Sequence, residues 1–250
     1  PVYSSSGKLQ DTPKIERRKA LREEVLHHIP TRVPCQVPSM EDCVQNQESA
    51  KAELSALTPA MVLANLQQGN ARFWMGVAQR PEMSAMERRA MIMQQFPKAA
   101  ILGCSDSRVP IEIVFDQGLG DIFAIRVAGN AVGGQSVPAS IEYAVNHLKV
   151  KLVVVLGHEG CGAVRAAMLP AEQIGAEPQA LKKWLTYIRR GLITHEGLNQ
   201  GWIRDMRARD REAVICNVRE QVKTLAKDPG MAAKVVDGST SSAIQLDTPL

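Results

Sequence analysis

Ala99-Ala100-Ile101-Leu102-Gly103-Cys104-Ser105-Asp106-Ser107-Arg108 is an apolar run that ends in chemically active side chains. An uncharged stretch of this length predicts a buried strand, and the polar residues fall where that strand runs out. If the backbone stays extended there, side chains alternate between faces and Cys104, Asp106 and Arg108 share one. That face then carries a thiolate candidate, a carboxylate and a guanidinium. Alone the spacing decides little, because Asp-x-Arg is commonly an ion pair and a single Cys commonly a small buried hydrophobe.

Partners come from a second apolar run, Leu152-Val153-Val154-Val155-Leu156-Gly157, which ends in His158-Glu159-Gly160-Cys161-Gly162. In open α/β sheets, ligands bind beyond the carboxyl ends of the strands, so soft nitrogen and sulfur donors at two strand ends can converge on one metal. Two thiolates and one imidazole suit zinc and leave the fourth tetrahedral position free, as a catalytic site requires. A closed structural zinc site, or two unrelated buried cysteines, are the other readings of these residues.

Around these two runs the chain alternates strand and helix patterns, which implies an α/β fold with parallel pairing and right-handed crossovers. Thr58-Pro59 predicts a helix start, a cap followed by a first-turn proline, and a second helix is expected over 84–95, ended by Pro97. A strand is expected over 121–127. The glycine-rich loop after it, Gly129-Asn130-Ala131-Val132-Gly133-Gly134, reads as a tight turn whose backbone passes close to the metal site. Ile141, Ala144, Val145 and Leu148 mark the buried face of a helix capped by Ser136, and Leu181, Trp184, Leu185, Ile188 and Leu192 mark another. Further helices are expected after Cys161-Gly162 and over 210–226, with Cys216 as a core contact, and a fourth or edge strand over 232–246. Residues 1–57, rich in proline, serine and uncharged polar residues, read as an N-terminal arm with helical character only over 15–28.

A hydrophobic content of 45% in 250 residues is a globular composition that can bury a sizeable core. Net charge is +4, with basic and acidic residues interleaved, so nucleic-acid binding is not indicated. No apolar run reaches the length of a membrane span. Five cysteines, at 35, 43, 104, 161 and 216, are an odd number in a chain with a large core, which argues against a disulfide framework. The expected location is cytoplasmic, or an organelle interior where a targeting peptide has been removed, and not secreted.

Cys104-Ser-Asp-Ser-Arg-Val109 together with His158-x-x-Cys161-Gly162 resembles the β class of carbonic anhydrases, and Arg126-Val-Ala-Gly-Asn130 and Ser140-Ile-Glu-Tyr-Ala-Val145 add to the likeness. It covers roughly residues 58–229. The resemblance implies a four-stranded, mainly parallel sheet flanked by helices, a catalytic domain over 58–250, and homodimers or multiples of them. It implies Zn2+ on Cys104, His158 and Cys161, and reversible hydration of CO2 to bicarbonate and a proton by zinc-bound hydroxide. Asp106, held by Arg108, would orient the hydroxide, and in some family members the same carboxylate swings onto the zinc instead.

By position, Gln95 matches a substrate-orienting amide reaching in from the partner subunit, and Phe123 and Tyr143 match an apolar wall and rim. Ala128 stands where the family usually has Val. Arg126 matches part of a non-catalytic bicarbonate pocket, but Ile101 replaces its Trp, so Asp106 is expected to stay paired with Arg108. Glu159 and His147 are candidate proton shuttles. Two other functions fit the same residues. One is a carbon disulfide or carbonyl sulfide hydrolase on the same zinc site; the other is a non-catalytic zinc protein that acts in an assembly.

Overall fold

The structure is a computed structural model that describes residues 40–227, apart from 80, 82, 84, 93, 194–197 and 199–204. All of them belong to one compact unit, Pro38–Leu250. At its centre lies β1 (Ala99–Cys104), buried at every position, as its uncharged run predicts. Strands β2 (Ile122–Val127) and β3 (Leu152–Val155) pair with it in parallel on either side, giving the order β2-β1-β3. Cys104 is in register with Val127 and Leu102 with Val155, and Leu156 N–H extends the pairing by donating to Leu102 O at 2.9 Å. The sheet therefore has three strands among the described residues, not four. The fourth, expected over 232–246, lies outside those residues, as does the helical segment expected over 15–28.

Alternation along β1 sends side chains to two different cores. Ile101 packs with Val62 and Leu66 of α2 (Pro59–Trp74), Ile111 of α4 (Ile111–Val114), Phe115 and Val154. Leu102, one residue on, packs with Ile125, Val155, Ile141 and Val145 of α5 (Ser136–Asn146), and Val218 and Leu225 of α9 (Met206–Ala226). Each fully buried Leu or Ile stabilises the fold by about 1.5–3 kcal/mol. Beyond the carboxyl ends of β1 and β3 a third core joins α6 (Gly162–Ala167), α8 (Gln179–Leu192) and α9 through Val164, Leu185, Ile188, Leu192, Ala213 and Val214. α7 (Ala171–Gly175) adds Ile174 to it.

Thr58 caps α2, its hydroxyl accepting from Met61 N–H at 3.2 Å, with Pro59 in the first turn as the sequence predicts. The sequence reading did not anticipate α1 (Met40–Ala56). Its residues are mostly Glu, Gln, Ala, Ser and Lys, so there is no apolar stripe to detect; good helix propensity and the burial of Leu54 hold it instead. The helix expected over 84–95 is shorter, α3 (Ala85–Ala90), with a turn after it. Met91 still bonds its N–H to Glu87 O at 3.2 Å, and its side chain seats against Gly120, where a Cβ would stand 2.2 Å from its methyl group. No helix among the described residues is long and apolar enough to cross a membrane.

Candidate metal centre

Two strand ends and one helix start build the site. Cys104 is the last residue of β1, His158 follows β3, and Cys161 occupies the cap position of α6. All three are buried, and Cys104 and Cys161 are free thiols. Their donor atoms lie within 4.8 Å of one another, with the two sulfurs 3.9 Å apart. A disulfide would need about 2.05 Å, whereas tetrahedral zinc with Zn–S bonds of about 2.3 Å separates two sulfurs by about 3.8 Å. The separation matches the second case.

His158 supplies an independent test of fit. Its Nδ1–H donates to Glu159 O at 2.9 Å, which leaves Nε2 as the lone-pair nitrogen. That Nε2 is buried and has no hydrogen-bond partner among the described residues. An orphaned buried nitrogen costs about 1–3 kcal/mol, and a metal shared with the two sulfurs would relieve it. Electrostatics agree with the geometry. A hydrogen bond from Cys161 pushes the Cys104 thiol well down against the opposing effect of burial, and the Gly129 N–H adds to it. Cys161 is pushed up by the same bond and by burial, so the sulfurs hold one proton between them that a metal would displace. Cys216, by contrast, is a core thiol pushed up to about 11 by burial and then by Glu212.

Asp106 stands beside this donor set, with Oδ2 3.8 Å from His158 Nε2. Arg108 clamps it through three hydrogen bonds: the backbone N–H and Nε donate to Oδ1, both at 2.9 Å, and Nη2 donates to Oδ2 at 2.7 Å. The guanidinium bonds hold the Asp106 carboxyl well below the usual carboxylate range. The carboxylate is therefore fixed in place as an acceptor, paired with Arg108. Arg126, read from the sequence as a bicarbonate-pocket residue, spends its guanidinium on the backbone instead. Its Nε donates to Cys104 O at 3.0 Å and its Nη2 to Asp106 O at 2.6 Å, which braces the loop that carries both side chains. Ile101 lies fully buried in the core.

The Gly129 turn passes the metal site as its composition predicts. Gly129, at φ +75°, donates its N–H to Cys104 Sγ at 3.3 Å, and a Cβ there would stand 2.9 Å from Ile188 Cδ1. Sequence reasoning missed the groups that hold this turn. Trp184 Nε1 donates to Ala128 O at 2.7 Å, and Asn217 Nδ2 to Gly129 O at 2.8 Å. Neither contact has a sequence signature, since each joins residues far apart in the chain.

The expected pocket residues are dispersed. Phe123 pairs in register with Ala100, near the start of β1, and its ring lies 6.1 Å from that of Tyr143, which stacks on His147 at 5.1 Å. Gln95 is exposed before β1, lining a groove with Leu54, Met91, Phe96, Lys98 and Leu119 at the opposite end of the sheet from Cys104. Ala128 is exposed next to the Gly129 turn. Within one chain the structure thus brings together Cys104, His158, Cys161, Asp106 and Arg108, and does not bring Gln95, Phe123 or Tyr143 to them. Glu159 is ion-paired with Arg211 (Nε to Oε1, 2.6 Å) in a cleft that Arg108 also lines, and His147 lies away from the site on Tyr143.

Comparison with known proteins places these features in a family. A family model described as "Carbonic anhydrase" matches residues 99–244. "Carbonic anhydrase 2" of Mycobacterium tuberculosis is 50% identical over 110 residues, 44% of this chain and 53% of the relative. A carbonic anhydrase of Emericella nidulans is 38% identical over 135 residues, 53% of this chain and 57% of the relative. The chain thus spans about half the length of the curated relatives it matches. Among solved structures, one of two tetrameric β-carbonic anhydrases from Sordaria macrospora superposes with a TM-score of 0.53 at 32% identity, covering 60% of this chain and 75% of that one. A Coccomyxa β-carbonic anhydrase, with a TM-score of 0.52 at 24% identity and 68% of each chain covered, shares the fold.

Proposed function

This chain belongs to the β-class carbonic anhydrase family, and we propose that it catalyses the reversible hydration of CO2 to bicarbonate and a proton, with Zn2+ on Cys104, His158 and Cys161. The observation that carries the reading is the unpaired, buried Nε2 of His158 facing two thiols 3.9 Å apart, with a clamped carboxylate beside them. Bound there, zinc would act as a Lewis acid that makes water nucleophilic near neutral pH.

The protein's own groups supply orientation. Asp106 is ionised, so it can only accept; it takes a hydrogen bond from the attacking oxygen and turns that oxygen's lone pair toward the carbon. A C–O bond forms, one C=O pair moves onto oxygen, and the released proton leaves to buffer. Arg108 keeps Asp106 charged and fixed at two points, which a lysine would not do. Arg126 holds the Cys104 and Asp106 carbonyls, so both side chains start from one rigid loop.

The pocket for a small apolar gas is completed in this reading by Ala128 beside the Gly129 turn, with Gln95, Phe123 and Tyr143 supplied by a second copy of the chain. The separation along β1 favours a second copy: its strand of six residues spans about 20 Å, beyond the reach of Gln95 within one chain. The test is a CO2 hydration assay on metal-quantified protein with carbonyl sulfide as comparator. One zinc per chain and faster turnover of CO2 are expected. Zinc-loaded protein without CO2 hydration, or Cys161→Ser with full zinc and full activity, overturns the assignment.

A further inference from the structure

Helix α9 carries two carboxamides into the core, Asn217 and Gln221, each at most 2% exposed. Buried carboxamides destabilise unless their donors and acceptors find partners, and here the partners form a single chain of bonds ending on one loop. Val132 N–H donates to Gln221 Oε1 at 2.8 Å, Gln221 Nε2 donates to Asn217 Oδ1 at 3.1 Å, and Asn217 Nδ2 donates to Gly129 O at 2.8 Å. The two residues are four apart on one helix, so they stack on the same face and act as a rigid pair.

Gly129 is the residue whose N–H reaches the Cys104 sulfur. The peptide on its N-terminal side is held at Ala128 O by Trp184 Nε1, and the one on its C-terminal side at Gly129 O by Asn217. With both planes fixed, a glycine that has wide conformational freedom is left one orientation for its N–H. Hydrogen bonds to a ligating sulfur tune how strongly it donates, and groups that orient ligands this way affect metal affinity.

We propose that Asn217 and Gln221 are positioning residues for the metal centre: through the Gly129 turn they aim a backbone N–H at Cys104 and so set how tightly the site holds its metal. The inference rests on the metal-site reading above, and its test separates the two. Wild type, Asn217→Ala, Gln221→Met and Leu225→Ala are loaded with cobalt, and the thiolate-to-cobalt absorption band and the rate of metal loss to a chelator are recorded with the thermal midpoint. Leu225 lies on the same helix and packs with Leu102 and Ile125 but carries no polar group to bond the turn, so its variant reports loss of core packing without loss of a hydrogen bond.

Asn217→Ala is expected to shift the band and weaken metal retention by about 10–100-fold, Gln221→Met to do so to a smaller extent, and Leu225→Ala to lower the thermal midpoint with band and retention unchanged. If Asn217→Ala does not fold, Gln221→Met, which keeps the volume of the side chain, decides. Wild-type protein that takes up no cobalt overturns the metal site and this inference together. Wild-type loading with band and retention unaltered in the carboxamide variants, or altered equally in Leu225→Ala, overturns the inference alone.

Discussion

Asp106→Asn separates what the Asp106–Arg108 pair does for stability from what it does for catalysis. Asparagine keeps the shape and one oxygen acceptor, but replaces the other oxygen with an NH2 group. Because Arg108 donates to both oxygens, that NH2 is set against an Arg108 donor whichever way the amide turns, and in one of the two orientations it also faces the reacting oxygen. The stability cost is small, because the Arg108 side chain is 51% exposed and the pair is well screened. The catalytic cost is larger. Loss of one preorganised hydrogen bond to a reacting group lowers turnover on the order of 10²-fold, about 2.7 kcal/mol.

The expected variant therefore keeps its metal, melts within a few degrees of wild type, and hydrates CO2 about 10²-fold more slowly. Stopped-flow hydration with a pH indicator, metal quantification and thermal denaturation measure the three quantities on one preparation. Wild-type turnover would reduce Asp106 to a structural ion pair. Loss of metal along with activity would refute the reasoning in another way, since it would place the carboxylate among the ligands rather than beside them.

Three further outcomes are expected. Chelation should lower the melting temperature, because it leaves His158 Nε2 buried and unpaired, and zinc but not magnesium should restore it, since thiolate and imidazole donors do not suit a hard cation; an unchanged melting curve in differential scanning fluorimetry counts against the site. Gly157→Ala places a Cβ 2.6 Å from Val218 Cγ2 and 2.9 Å from Val214 Cγ1, so overpacking should cost about 1–3 kcal/mol in urea titration and disturb His158 next to it, lowering metal content as well. Gln95→Ala and Asp106→Asn proteins, each of reduced activity, unfolded and refolded together, should recover activity above the sum of the two if a site draws Gln95 from a second copy; purely additive activity would place Gln95 elsewhere.

The parts of the fold that were legible in the sequence are those written in periodicity. The uncharged run 99–103 reads as a strand covered on both faces, and Ile101 and Leu102 do enter separate cores. The cap at Thr58 and most of the apolar faces of α5 and α8 follow from local spacing in the same way, but Leu148 lies past the end of α5, Ser136 opens that helix with Gln135 at the cap position, and Leu181 is exposed. Helix α1 does not, because its sequence carries propensity without a pattern; Leu54 is its buried residue among those whose side chains are described. Helix α3 stops at Ala90, and Met91 after it seats its side chain on the bare backbone of Gly120, far along the chain, a contact that no local rule contains.

The site divides along the same physical line. Cys104, Asp106 and Arg108 share one strand end, and His158 and Cys161 another, so two short motifs and the parallel register place five side chains without any long-range information beyond strand order. What fixes their orientation is not local. Arg126 holds the Asp106 loop from the neighbouring strand, and Asn217 and Gln221 hold the Gly129 turn from a helix near the other end of the chain. Such contacts depend on one donor meeting one carbonyl, which leaves no repeat to read. Gln95 marks the limit from the opposite direction. Its position before Cys104 is fixed by the chain, yet β1 runs fully extended between the two, so the closer they are tied in sequence by a straight strand, the more firmly the fold keeps them at opposite ends of it.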